Sequence, residues 1–148
     1  MNIFATRKAT LQDAEVIAKL ATELGYPTHK AQSHARLQGL LPSSEHRVLV
    51  ACDALNIVVG WIHVYLVYRI ESDPYAEIGG LVVSKEYQKN GLGSMLLKEA
   101  EQWVHKSGVK KLRVRSRIER KETHSFYEDR GFSLSKQQNV FDKTIDDL

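Results

Sequence analysis

The amino-acid sequence predicts an α/β fold, a mixed, largely antiparallel central sheet flanked by helices, and three observations carry that prediction. Apolar residues recur at helical spacing at Ala14, Ile17, Ala21 and Leu24, and again at Leu96, Ala100, Trp103 and Val104. Two strand-like runs, 48–52 and 57–69, are separated only by the hairpin-length loop Asp53-Ala54-Leu55-Asn56. Shorter strand-like stretches open and close the chain, so helices and strands interleave rather than segregate.

The elements follow in order. Residues 3–9 alternate enough for a short first strand, and Thr10 with Asp13 resembles a capping pair that opens a helix. Gly25 and Pro27 stop that helix. A more polar helix is expected over 28–41, with Pro42 beyond its end. The antiparallel pair comes next, then a turn at Glu71-Ser72-Asp73-Pro74 and a buried strand over 75–84. Gly79 and Gly80 interrupt this strand and mark a bulge. The best-patterned helix runs from Leu92 to Gly108. Residues 111–116 alternate as a strand, 121–129 form a short helix closed by Gly131, and 132–143 return as two terminal strands.

Bulk properties narrow the class. The 148 residues, without a low-complexity tract or internal repeat, fit a single domain over 1–148. The longest apolar run, 57–70, contains Gly60, His63 and Arg69 and is too short and too polar for a membrane helix. The N-terminal residues lack the apolar segment and cleavage site of a signal peptide, so a cytoplasmic protein without a membrane partner is expected. The single cysteine, Cys52, lies in an apolar run and reads as core rather than nucleophile. A net charge of +3 admits an anionic ligand without demanding nucleic acid, and no metal is expected.

The sharpest local signal is Gln88-Lys89-Asn90-Gly91-Leu92-Gly93, between a strand and the start of a helix. Gly91 and Gly93 let backbone approach an anion closely, and the N–H groups of the helix start converge on it with the positive end of the dipole behind them. Lys89 adds positive charge and the Gln88 amide is a donor to a phosphate oxygen. An isolated G-x-G merely turns a chain into a helix; here the surrounding residues reduce that reading.

Residues 76–84 followed by Gln88–Gly93 closely resemble the signature of the GNAT superfamily of acetyl-CoA-dependent N-acetyltransferases, and Phe126-Tyr127-Glu128-Asp129-Arg130-Gly131-Phe132 resembles the closing F-Y-x-x-x-G-F segment of that family. The resemblance implies a GNAT-like fold with acetyl-CoA as cosubstrate. It implies a pyrophosphate on Gln88, Lys89, Asn90, Gly91, Leu92, Gly93 and Ser94, and a pantetheine arm paired along Leu81, Val82 and Val83. The function implied is transfer of an acetyl group to a primary amine of a small molecule.

An alkyl amine, with a pKa of about 10, arrives protonated and needs a base. Glu77 matches a position where some family members carry a glutamate base; the competing reading is a strand-end carboxylate that faces water or pairs with an arginine. A backbone N–H near the bulge, at Val82 or Val83, is placed to stabilise the developing oxyanion. Tyr127 matches the family tyrosine that donates a proton to the departing thiolate. Arg120 and Thr123 depart from the family pattern, which more often has Asn and Ala there.

The basic run Lys110, Lys111, Arg113, Arg115, Arg117, Arg120 and Lys121 is interrupted by Glu119 and Glu122 and reads as a solvated face. Residues 121–132 are similar to acetyltransferases of aminoalkyl compounds, aminophosphonates among them. Acetylation of protein N-termini or lysines and a non-catalytic CoA sensor are the alternatives. A homodimer is plausible by family analogy.

Overall fold

β-Branched and aromatic residues dominate the stretch Val58–Val67, and this strand lies at the middle of the sheet. The computed structural model describes residues 3–146 and resolves into two compact units, one ending at Arg115 and the other beginning at Ser116; Met1 and Asn2, part of the N-terminal reading, lie outside the described residues. The first unit contains β1 (Ala5–Lys8), α1 (Ala14–Leu24), α2 (Lys30–Leu40), β2 (His46–Cys52), β3 (Val58–Val67), β4 (Tyr75–Val83), α3 (Leu92–Lys106) and β5 (Leu112–Val114). Single 3-10 turns at Leu11–Asp13 and Lys85–Tyr87 precede α1 and α3. The five strands lie in the order β1-β2-β3-β4-β5, antiparallel except for the parallel β4–β5 pair, so the predicted mixed sheet is present.

Local chemistry sets the element boundaries. The Thr10 N–H donates to Asp13 Oδ2 at 2.8 Å, and Arg7 grips both Asp13 oxygens at 2.8 and 2.9 Å, tying β1 to the start of α1. At α2 the His29 N–H donates to Gln32 Oε1, a capping pair that the sequence reading did not single out. In the β2–β3 loop, Asp53 Oδ1 accepts from the N–H groups of Leu55 and Ile57.

Side chains of alternate parity fill the two faces of the sheet. On one, Val48, Val50, Cys52 and Val82 pack with Ile17 and Leu20 of α1 and Leu37 of α2, and Trp61 lies against the same cluster. On the other, α3 covers β2, β3 and β4 with its buried stripe Leu92, Leu96, Leu97, Ala100 and Val104. Cys52 is buried, as expected, and burial pushes its thiol above the ordinary range.

The second unit contains α4 (Lys121–Glu128) followed by Gly131. The two terminal strands expected over 132–143 are absent among the described residues. Alternation stops at Lys136-Gln137-Gln138-Asn139, and Leu134, Val140 and Phe141 are exposed, so the segment has no continuous apolar face to hold it in a ladder.

Two outcomes follow for stability. Ile62 is fully buried between Leu49 and Leu81 in register, and Ile62→Ala lowers the unfolding free energy by about 2–5 kcal/mol, read as a lower urea midpoint at unchanged slope. Burial alone would raise the Asp13 carboxyl pKa, but the bonds from Arg7 and Thr10 outweigh it and hold the folded value below 3.8. Its contribution is therefore complete above that pH and lost as pH falls through the folded value. The stability gap between wild type and Asp13→Asn narrows accordingly in acid titrations.

Candidate active site

The site is built around a register shift. Between β3 and β4, Val64 pairs with Ile78 but His63 pairs with Gly80, leaving Gly79 as the extra residue of a β-bulge. Both glycines meet side chains of β3. A β carbon at Gly79 would lie 2.8 Å from His63 Nδ1, and one at Gly80 would lie 2.9 Å from two ring carbons of Trp61. No other residue fits there without moving a ring. The Trp61 indole N–H is buried beside this bulge without a hydrogen-bond partner among the described residues.

Glu77 precedes the bulge, is buried, and lies directly opposite Tyr65. The Tyr65 hydroxyl donates to Glu77 Oε2 at 2.6 Å, and Arg115 Nε donates to Oε1 at 3.2 Å. Each carboxylate oxygen thus has the hydrogen-bond partner that burial demands. Burial, and then the bond to Glu77, pushes the Tyr65 hydroxyl up to about 12. Beyond Tyr65 the polar side chains continue: His63 Nε2 lies 2.9 Å from His46 Nδ1, and the rings of His46, His63 and Tyr65 have centroids 5.2–5.4 Å apart. Burial, reinforced by the neighbouring His46, lowers His63 to about 4. Of this group only Glu77 was singled out from sequence. His63 and Tyr65 share strand parity with Trp61, a signal legible in 57–70, but their meeting with His46 and Glu77 depends on cross-strand register.

The cosubstrate residues expected from sequence lie on the continuation of β4. Its pairing with β5 covers only Ala76, Glu77 and Ile78, so Leu81, Val82 and Val83 pair with β3 on one side and, among the described residues, with no strand on the other. An extended chain fits such an edge by backbone hydrogen bonds. Past the strand, the Gln88 amide donates to Val83 O at 3.2 Å and the Asn90 amide to Tyr87 O at 3.0 Å, fastening the loop to the strand end and the preceding turn. Lys89 and Gly91 both adopt positive φ, 72° and 76°. Open space lies where a Gly91 β carbon would be. The Met95 N–H donates to Gly91 O, whereas helix geometry leaves the N–H groups of Leu92 and Gly93 without an intrahelical acceptor. The two N–H groups at the helix start are therefore backbone donors of the kind an anion accepts from. Leu92 contributes backbone only, because its side chain is buried in the core, and Ser94 follows in the first turn.

Tyr127 belongs to the second unit. It is buried on α4, with edge-on contacts to Phe126 and Phe132 at 5.1 and 5.2 Å, and burial pushes its hydroxyl up to about 12. The basic run is less uniformly solvated than expected. Arg113 stacks on the Tyr75 ring at 4.5 Å and donates to its hydroxyl, while Arg115 holds Glu77.

The family model described as "Acetyltransferase (GNAT) family" matches residues 14–132, and the chain belongs to that family. An aminoglycoside N(6')-acetyltransferase type 1 from Stenotrophomonas maltophilia is 31% identical over 139 residues, covering 91% of this chain and 90% of that protein. An aminoglycoside antibiotic 6'-N-acetyltransferase from Acinetobacter baumannii has the same fold, with a TM-score of 0.85 at 16% identity over 97% of this chain and 99% of the other. An aminoglycoside N-acetyltransferase solved in complex with CoA superposes with a TM-score of 0.84 at 15% identity, covering 97% and 96% of the two chains. The protein is thus a GNAT-type acyltransferase, and acetyl-CoA is the cosubstrate of its family.

The two raised hydroxyls are measurable. Of the six tyrosines, Tyr65 and Tyr127 stay protonated at pH 11, so tyrosinate absorbance there falls short of the denatured protein's. Tyr65→Phe and Tyr127→Phe each remove one of the late-titrating groups.

Proposed function

We propose that the chain acts as a single N-acetyltransferase domain over 1–148, moving an acetyl group from acetyl-CoA to a primary amine of a small molecule. The observation that carries this reading is Glu77: a buried carboxylate with two fixed donors, two residues before the bulge and beside the open edge of β4. Acetyl-CoA, when bound, supplies a thioester acyl group open to attack by an amine. Gln88 through Ser94 hold its pyrophosphate, and Leu81, Val82 and Val83 align its extended arm. Glu77 draws in the alkylammonium and takes the first proton from its nitrogen. The Val82 or Val83 N–H meets the oxygen on which charge develops. Tyr127, held protonated by burial, returns a proton to the leaving sulfur.

The relatives named as aminoglycoside acetyltransferases support an amino-sugar acceptor as the first class to try. The test is thiol release from acetyl-CoA across aminoglycosides, simple amino sugars, aminophosphonates, polyamines and peptides. Turnover confined to small amines, with kcat reduced roughly 10²-fold or more in Glu77→Gln and in Tyr127→Phe, is the expected result. Turnover of peptides alone makes the protein a protein acetyltransferase. Binding of acetyl-CoA without turnover makes it a sensor.

A further inference from the structure

An alkylammonium that becomes an amide loses two protons from nitrogen as the N–C bond forms and the C–S bond breaks. One proton ends on sulfur and, net, one leaves to solvent. Glu77 already accepts from Tyr65 and Arg115 and has room for one proton at a time. A second acceptor on the same face of the sheet lets the other proton leave without waiting for Glu77 to discharge. Two histidine rings of the sheet lie there, beside Tyr65. His63 Nδ1 sits over Gly79, two residues along β4 from Glu77, a strand spacing of roughly 7 Å. Gly79 is exposed, which opens this point to a ligand. On its far side His63 Nε2 meets His46 Nδ1 at 2.9 Å, and His46 is only partly buried.

We propose that His63 and His46 form the second proton exit of the acceptor site. His63 Nδ1 takes a proton from the attacking nitrogen as the His63 Nε2–H passes its own to His46 Nδ1, and the His46 Nε2–H is released to solvent. This rests on the amine-acetylation reading above. The transfer balances: Glu77 and the histidine pair each discharge one proton, Tyr127 recovers one from solvent after protonating sulfur, and the rings return to Nε2–H when His46 Nε2 takes a solvent proton, the His46 Nδ1–H passes back to His63 Nε2 and the His63 Nδ1–H leaves to solvent after product release. His63 meets His46 of β2, Tyr65 of its own strand and Gly79 of β4; Tyr65 in turn holds Glu77, whose other oxygen is held by Arg115. Burial disfavours a lasting imidazolium at His63, so the charge passes on to His46. The bare glycine at 79 is what lets the ring reach this position.

Two measurements test the relay. In the unmodified protein, 15N spectra of labelled histidine show both rings as Nε2–H tautomers at neutral pH; a proton on His63 Nδ1 overturns the proposal. In kinetics, His63→Gln lowers kcat roughly 10²-fold with KM for both substrates within about 3-fold, and added imidazole restores a large part of the loss. His46→Gln gives a smaller loss of the same kind. Wild-type turnover of amines with an unaffected His63→Gln, or a loss that imidazole does not relieve, overturns the relay and leaves the amine reading standing. No amine turnover by the wild type overturns both.

Discussion

The site depends on one irregularity, the register shift that places Gly79 and Gly80 opposite a single residue of β3. In a regular ladder, successive residues of β4 point to opposite faces. Here both glycines offer a bare backbone beneath His63 and Trp61, at separations that no β carbon tolerates. On one side of the shift Glu77 is locked against Tyr65. On the other, Leu81 to Val83 leave the edge shared with β5. Carboxylate and open backbone edge are therefore fixed by the same local geometry.

The electrostatic design follows from where that shift falls. Glu77 stays in a buried position because a hydroxyl and a guanidinium each occupy one of its oxygens. The histidine pair is supported differently: each ring supplies the partner of the other, and the stacked Tyr65 ring joins them to the carboxylate. An apolar core backs this polar row on the same face, with Val48 and Val50 beside it and α1 and α2 over the cluster. Such a background strengthens each polar contact and raises the cost of leaving one unmade.

Much of this was legible from residue order. Thr10 with Asp13, the Asp53–Asn56 loop, the glycine pair and the Gln88–Gly93 loop each carry their own local reason for the backbone they adopt, and each appears where expected. The terminal strands over 132–143 do not, because a few apolar residues around a polar run satisfy a local pattern without supplying a face or a partner. Glu77 was legible as a candidate and equally as a partner of an arginine. The fold gives it that arginine and a tyrosine as well.

The sequence by itself determined the class of sheet and helices, the position of the bulge and the glycine loop before α3, since helical period, strand alternation and glycine placement are properties of neighbouring residues. Tertiary structure alone decided that His46, His63, Tyr65, Glu77 and Arg115, spread over 70 positions of chain, share one face. The physical reason is register. A strand's parity is written in its own residues, but a slip of one residue against its neighbour sends every side chain to the other face, and only the packed sheet settles that choice.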